Sequence, residues 1–274
     1  FISAGEHNLT ENIIHLVLAR TPDAPSGIKG ISLFLVPKFN VHDDGTLAEL
    51  NGVFCSGIEH KMGINASSTC SIEFDNAKGF LVGELNKGMK AMFVIMNSAR
   101  LHVGIQGLAI AQASYCSAKD YAKERLQGRA LSGAKYPEQA ADPLIVHPDI
   151  RRMLMTMKAY TEGARALSSW LSYKLDLSQH ADNKQQRQEA DELVSLLTPV
   201  FKSFLTAIGE TVTSLGIQVY GGHGYIRENG MEQYLRDARI SKIYEGANGI
   251  QALDLVGRKL PEQMGKYLRH FFHP

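Results

Sequence analysis

Residues 232–260, EQYLRDARISKIYEGANGIQALDLVGRKL, are the stretch from which this chain is best read. They form two helical patterns interrupted at Glu245-Gly246-Ala247-Asn248-Gly249. Beyond the break, Ile250, Leu253, Val256 and Leu260, with Ala252 and Leu255, recur at helical spacing. Glu245 stands at the interruption, next to a glycine. A carboxylate there can leave the helix surface and face a cleft. The glycines let a backbone N–H come close to a ligand. One carboxylate beside exposed backbone donors is the least that proton removal next to a carbonyl requires. The same pattern describes a surface glutamate at a helix boundary, because helix ends commonly carry Glu and Gly.

Moving outward, the preceding residues are helical in pattern. From about Lys87, Gly104, Gly107, Leu108, Ala111, Tyr115, Ala118 and Ala122 recur at three- and four-residue spacing. Small residues on such a stripe let a neighbouring helix pack closely. A loop with Gly133, Pro137 and Pro143 follows, and a second helix is predicted from about Asp149 to Leu175. The polar run from Ser178 to Asp191 reads as an exposed loop containing a helix start. A third helix carries Leu193, Leu196, Leu197, Val200, Phe204, Ile208 and Val212 toward Gly221-Gly222. With the opening stretch as the fourth, the pattern predicts an antiparallel four-helix bundle. After Pro261 the periodicity fades.

The first 84 residues have a different character. Asn12 to Ala19 and Gly30 to Pro37 are short aliphatic runs separated by Thr21-Pro22-Asp23-Ala24-Pro25-Ser26-Gly27. Thr69 to Asp75 alternates, with Cys70, Ile72 and Phe74 on one face and Ser71 and Glu73 on the other. Asp43-Asp44-Gly45 and Asp75-Asn76 mark turns. Short strands without helices between them suggest an antiparallel sandwich or barrel. The expected class is α+β: a partial antiparallel β domain over 1–84, the helical domain over 85–260, and the start of a linker or extension over 261–274.

The 274 residues are 44% hydrophobic and 21% charged, as expected of a chain that buries a core. A net charge of +1 implies no general attraction to nucleic acid or membrane. Cys55, Cys70 and Cys116 form no CxxC pair, which favours a reducing compartment. No uninterrupted apolar run approaches a membrane span. The ten histidines show no metal-ligand spacing. Gly221-Gly222-His223-Gly224 suits either a helix-ending turn or a phosphate contact, and it lacks the strand–turn–helix context of a nucleotide-binding loop. Arg100 is either a snorkelling surface residue or an anion contact. Arg125 either complements a helix C-terminus or binds pyrophosphate.

Together these segments resemble the acyl-CoA dehydrogenase family. Gln218-Val219-Tyr220-Gly221-Gly222-His223-Gly224 is similar to its Q-x-x-GG-x-G stretch, and Arg236 to Ile240 with Ile243 to Gln251 to its RDARI…IYEGTNGIQ signature. The resemblance implies that Glu245 is the catalytic base. It implies substrate contacts at Asn97, Arg100 and Gly246. It implies FAD contacts at Phe1, Ser3, Arg125, Gln127, His147, Gln218, Gly221, Gly222, Ala247, Asn248 and Gly249. Three positions depart from the pattern. Ala247 replaces the usual Thr, so one hydroxyl near the flavin is missing. Glu124-Arg125-Leu126-Gln127-Gly128 lacks the usual Phe, and Pro148 replaces an amide residue after His147. The wording of Phe1 to Asn8, His60 to Gly63 and Ala252 to Lys259 is nearest to large bacterial members with a further C-terminal domain. On that comparison the chain is expected to be a fragment that lacks an N-terminal domain.

The implied reaction is α,β-dehydrogenation of an acyl-CoA thioester, with the β-hydrogen leaving as hydride to the flavin, because no protein side chain accepts one. The nascent enolate needs hydrogen-bond donors at its oxygen, for which the resemblance offers the Glu245 N–H and a flavin ribityl hydroxyl. Electron-transfer flavoprotein is the implied acceptor, a homo-oligomer (dimer or tetramer) the implied assembly, and the bacterial cytoplasm the implied location. Two other readings stand beside this one: a nucleic-acid-associated relative, against which the near-neutral charge argues, and a truncated scaffold without dehydrogenase activity.

Overall fold

The computed structural model describes residues 1–272, which divide into two compact units, residues 1–98 and the described residues from 99 onward. The first unit contains eight short strands: β1 Ile2–Ser3, β2 Ile14–Ala19, β3 Ser32–Pro37, β4 Phe39–Val41, β5 Leu47–Leu50, β6 Val53–Ile58, β7 Thr69–Phe74 and β8 Phe80–Val82. They form three small antiparallel sheets, ordered β1-β7-β6, β2-β3-β8 and β4-β5. The β4–β5 hairpin turns at Asp44-Gly45, where the Asp44 carboxylate accepts the Thr46 N–H at 3.0 Å and Gly45 has a φ of 86°. The predicted first strand starts late because Asn12 is a latch: its amide donates to the Phe39 carbonyl and its Oδ1 accepts the Ile13 and Phe39 N–H groups. The alternation read in β7 fades along the strand, since Cys70 is fully buried but Phe74 is exposed.

Among the described residues six α-helices follow: α1 Gly88–Glu124, α2 Pro148–His180, α3 Lys184–Tyr220, α4 Met231–Arg239, α5 Asn248–Asp254 and α6 Lys266–Phe272. α1 and α3 run parallel, since their points of contact advance in the same sense along both helices. A Cβ at Gly104 would lie 2.6 Å from the Phe201 ring, one at Gly107 2.6 Å from the Leu205 carbonyl, and one at Gly216 2.2 Å from Ser114 Oγ. The small-residue stripe read in α1 is therefore the seam along which α3 makes its closest approach. Leu108, Ala111, Met157, Ala164, Leu205 and Val212 lie in the core between these helices.

One expectation is corrected. The polar segment 178–191 is almost wholly helical, and only residues 181–183 break it. Asn183 starts α3 as a capping residue, its Oδ1 accepting the Gln185 and Gln186 N–H groups. Lys184-Gln185-Gln186-Arg187 are good helix formers that need no buried face. The fourth stretch is interrupted near Glu245, as its sequence reads. Ile240–Lys242 is a short 3-10 turn, residues 243–247 form a loop, and Leu255–Lys259 is wound as a π-turn. One stretch, Lys184–Tyr225, is long and apolar enough by length and composition to cross a bilayer, which the short apolar runs did not suggest. Its most apolar window is mostly buried, as a central bundle helix should be.

Candidate active site

The loop after α4 has unusual backbone geometry. Ser241 is buried and donates to the Ala238 carbonyl at 2.6 Å, closing the end of α4. The Ile243 and Tyr244 N–H groups both turn back to the Ile240 carbonyl. Glu245 and Gly246 then take φ angles of 54° and 86°. The glycine adopts that region freely, but a glutamate there is strained by about 1–2 kcal/mol. Ala247 is the N-cap of α5 and supplies no side-chain acceptor to the helix. Glu245 is half-buried, and its Oε2 is buried without a hydrogen-bond partner.

Around this turn lies a buried polar cluster. Lys202, on α3, is fully buried and donates to the Gly246 carbonyl at 2.8 Å and to Asn248 Oδ1 at 3.1 Å. Burial, then the nearby Arg100, lower its pKa to about 8, while Glu245 acts in the opposite direction. Arg100 is 6% exposed, and its Nη1 donates to Asp254 Oδ2 at 2.8 Å. Asp254 also pairs with Arg258. Gln251, 1% exposed, donates to the Gly246 carbonyl at 3.0 Å. Asn248 donates to the Ser203 carbonyl at 3.2 Å and lies 3.1 Å from Thr206 Oγ1. The Tyr244 hydroxyl donates to Gln106 Oε1, and burial raises its pKa.

This geometry corrects one reading of Arg100. It is no surface residue: it is held in a buried ion pair by an aspartate that sequence reading passed over. Lys202, Gln251 and Asp254 were also missed. Lys202 had a signal, as a lone lysine inside the apolar run of α3 between Phe201 and Phe204.

Other candidate residues gather at the far end of α1. The α-helix advances 1.5 Å per residue, so Arg125 lies about 37 Å along the axis from Arg100. Arg125 and Gln127 are exposed. His147 donates from Nε2 to the Gln127 carbonyl at 2.8 Å and is the N-cap of α2, with Pro148 in the first helical position, where proline's missing N–H costs nothing. The loop between α1 and α2 is organised by Asp142. Burial pushes its carboxyl upward, but N–H donors from Ala130, Tyr136 and Lys135 outweigh that and hold it at about 2. Gly221 ends α3 with a φ of 61°, and Gln218 and Gly222 are exposed beside it. Tyr121 connects the two turns: it stacks on Tyr220 with ring centroids 3.9 Å apart, and its hydroxyl is 2.9 Å from His223 Nδ1. The helical unit therefore brings Glu245, Gly246, Ala247, Asn248, Gly249 and Arg100 together at one end, and Arg125, Gln127, His147, Gln218, Gly221 and Gly222 at the other. Phe1 and Ser3 lie on β1, and Asn97 is exposed on the part of α1 that belongs to the first unit.

The chain was compared with known proteins. A family profile described as "Acyl-CoA dehydrogenase, C-terminal domain" matches residues 86–260. The 3-methylmercaptopropionyl-CoA dehydrogenase of Ruegeria pomeroyi is 49% identical over 99% of this chain and 45% of its own length. A butyryl-CoA dehydrogenase of Syntrophomonas wolfei is 37% identical over 97% of this chain and 44% of its own. The structure of butyryl-CoA dehydrogenase from Megasphaera elsdenii superposes with a TM-score of 0.69 at 28% identity, covering 89% of this chain and 55% of that one. The chain thus spans about half the length of the curated relatives it matches. With the family profile covering most of the helical unit and the Glu245 loop inside the match, the chain belongs to the acyl-CoA dehydrogenase family.

Proposed function

We propose that this chain carries the catalytic base and part of the flavin-facing surface of an FAD-dependent acyl-CoA dehydrogenase. The observation that carries the proposal is Glu245: a carboxylate in a left-handed turn, with Oε2 unpartnered, beside the buried cations Arg100 and Lys202. A carboxylate held without partners is available to take a proton from a bound molecule. Glu245 removes the α-proton of the acyl-CoA thioester. Arg100, fixed by Asp254, contributes positive charge near the enolate that forms. FAD, where the residues named below would hold it, would supply the hydride-accepting flavin N5 that no protein side chain offers.

The donor set suits such a cofactor. Gly222 and Gly249 have ordinary φ angles and open space where a side chain would stand, so neither backbone nor internal packing calls for glycine. Room for a closely approaching ligand is what they provide. Arg125, Gln127, His147 and Gln218 would meet the pyrophosphate and adenine side, and Ala247, Asn248 and Gly249 the flavin side, with Phe1 and Ser3 from the β unit. The separation of about 37 Å along α1 is longer than one extended dinucleotide. That supports a homo-oligomer in which one subunit's Arg125 end completes the flavin site of another. Residues 1–84 correspond in this reading to the second half of the middle β domain, 85–260 to the C-terminal helical domain, and 261–274 to the start of an extension. A short acyl thioester, such as the one in the name of the Ruegeria relative, is the first substrate to assay, with electron-transfer flavoprotein as acceptor. Three free cysteines fit a reducing, cytoplasmic setting.

The test is Glu245→Gln in the whole flavoprotein that carries this sequence. The variant should retain its flavin and bind acyl-CoA, yet show no bleaching of the flavin absorbance. Bleaching at the normal rate would remove Glu245 from the role of base.

A further inference from the structure

Lys202 lies fully buried in the middle of α3, within an apolar run. An ammonium withdrawn from water is costly unless acceptors meet it, and a methionine of similar bulk would fill the same space without that cost. Packing alone therefore does not explain a lysine. Its two bonds do: the Gly246 carbonyl at 2.8 Å and Asn248 Oδ1 at 3.1 Å lie on either side of Ala247. These residues directly follow Glu245, whose φ of 54° relaxes unless its surroundings hold it.

Other bonds reinforce the hold. The Gly246 carbonyl also accepts from Gln251, and Asn248 is fixed by Ser203 and Thr206. Glu245 itself makes no hydrogen bond at Oε2. The direction of its carboxylate is thus set by the backbone beneath it.

We infer that Lys202 is a positioning residue: its buried ammonium, clamping the Gly246 carbonyl and the Asn248 side chain, holds residues 245–248 in the strained turn that aims the Glu245 carboxylate. The inference rests on the reading of Glu245 as the base. Burial and the nearby Arg100 lower its pKa to about 8, and the Glu245 carboxylate offsets part of that, so the ammonium is held against the cost of burial.

Two variants of the whole flavoprotein test it. Lys202→Met keeps the bulk and removes the clamp. Lys202→Gln keeps an amide donor and loses the charge. In the methionine variant, amide hydrogen exchange over residues 246–250 should quicken at least about tenfold while the rest of α3 keeps its protection. Flavin bleaching at saturating acyl-CoA should fall about 100-fold, the scale of a misplaced catalytic group, with half-saturation changed less than about threefold. The glutamine variant should recover part of both losses. Unchanged loop exchange with normal bleaching would overturn the inference. So would exchange rising evenly along α3, or failure of both variants to fold, either of which makes Lys202 a core requirement only. Glu245→Gln run alongside separates the two readings: if it bleaches normally, the base assignment fails, and loop exchange alone then judges the clamp.

Discussion

Replacing Asp254 by leucine would leave Arg100 buried without the carboxylate that pairs with it. The pair is close, at 2.8 Å, and its partners are only 6% and 8% exposed. Removing one member of such a pair costs about 3–5 kcal/mol, mostly from the charge left behind rather than from the lost attraction. Arg258 also loses its contact with Asp254, but it is more than half exposed, and an exposed pair contributes about 1 kcal/mol at most. Lys202 adds to the strain, because Arg100 already disfavours its charged form. Against a total stability of about 5–15 kcal/mol, the loss is large. For a unit of this size it corresponds to a fall of about 6–20 °C in Tm. Urea unfolding followed by circular dichroism measures it directly. The double replacement Arg100→Met with Asp254→Leu removes both charges and should recover at least about 2 kcal/mol of the single variant's loss. A single variant destabilised by under about 1 kcal/mol, or a double variant no better than the single, would refute the reasoning.

Other outcomes follow from the seam and the loop. Gly107→Ala places a Cβ 2.6 Å from the Leu205 carbonyl, where backbone must shift, and should cost about 1–3 kcal/mol by urea unfolding; a neutral substitution would mean that α1 and α3 separate easily. Asp142 titrates at about 2 in the folded chain and at 3.8 ordinarily, so its contribution is fully present above about pH 4 and fades as pH falls toward 2. Limited proteolysis of residues 129–141 should accelerate across that window, and Asp142→Asn should make cleavage fast at neutral pH as well.

The β-rich and helical halves, the glycine stripe of α1 and the break at Glu245 were all legible in the chain, because each rests on local periodicity or on a turn residue. Sequence determined that α1 has a face smooth enough for another helix. Only the tertiary structure decided that α3 fills it in parallel, since Gly107 and Leu205 are far apart in the chain and meet through packing alone. The polar segment before α3 misled for a related reason. It lacks an apolar stripe, and its helicity comes from the Asn183 cap and from intrinsic propensity. The candidate site divides along the same line. Glu245 and its glycines are neighbours in sequence and announce themselves there. Lys202 reaches that turn from α3, while Gln251 and Asp254 stand on α5 just beyond it, and a buried charge shows its purpose only when its partners are in view. The long reach of α1 places Arg125 far from Glu245, a consequence of helix length that residue types alone do not convey.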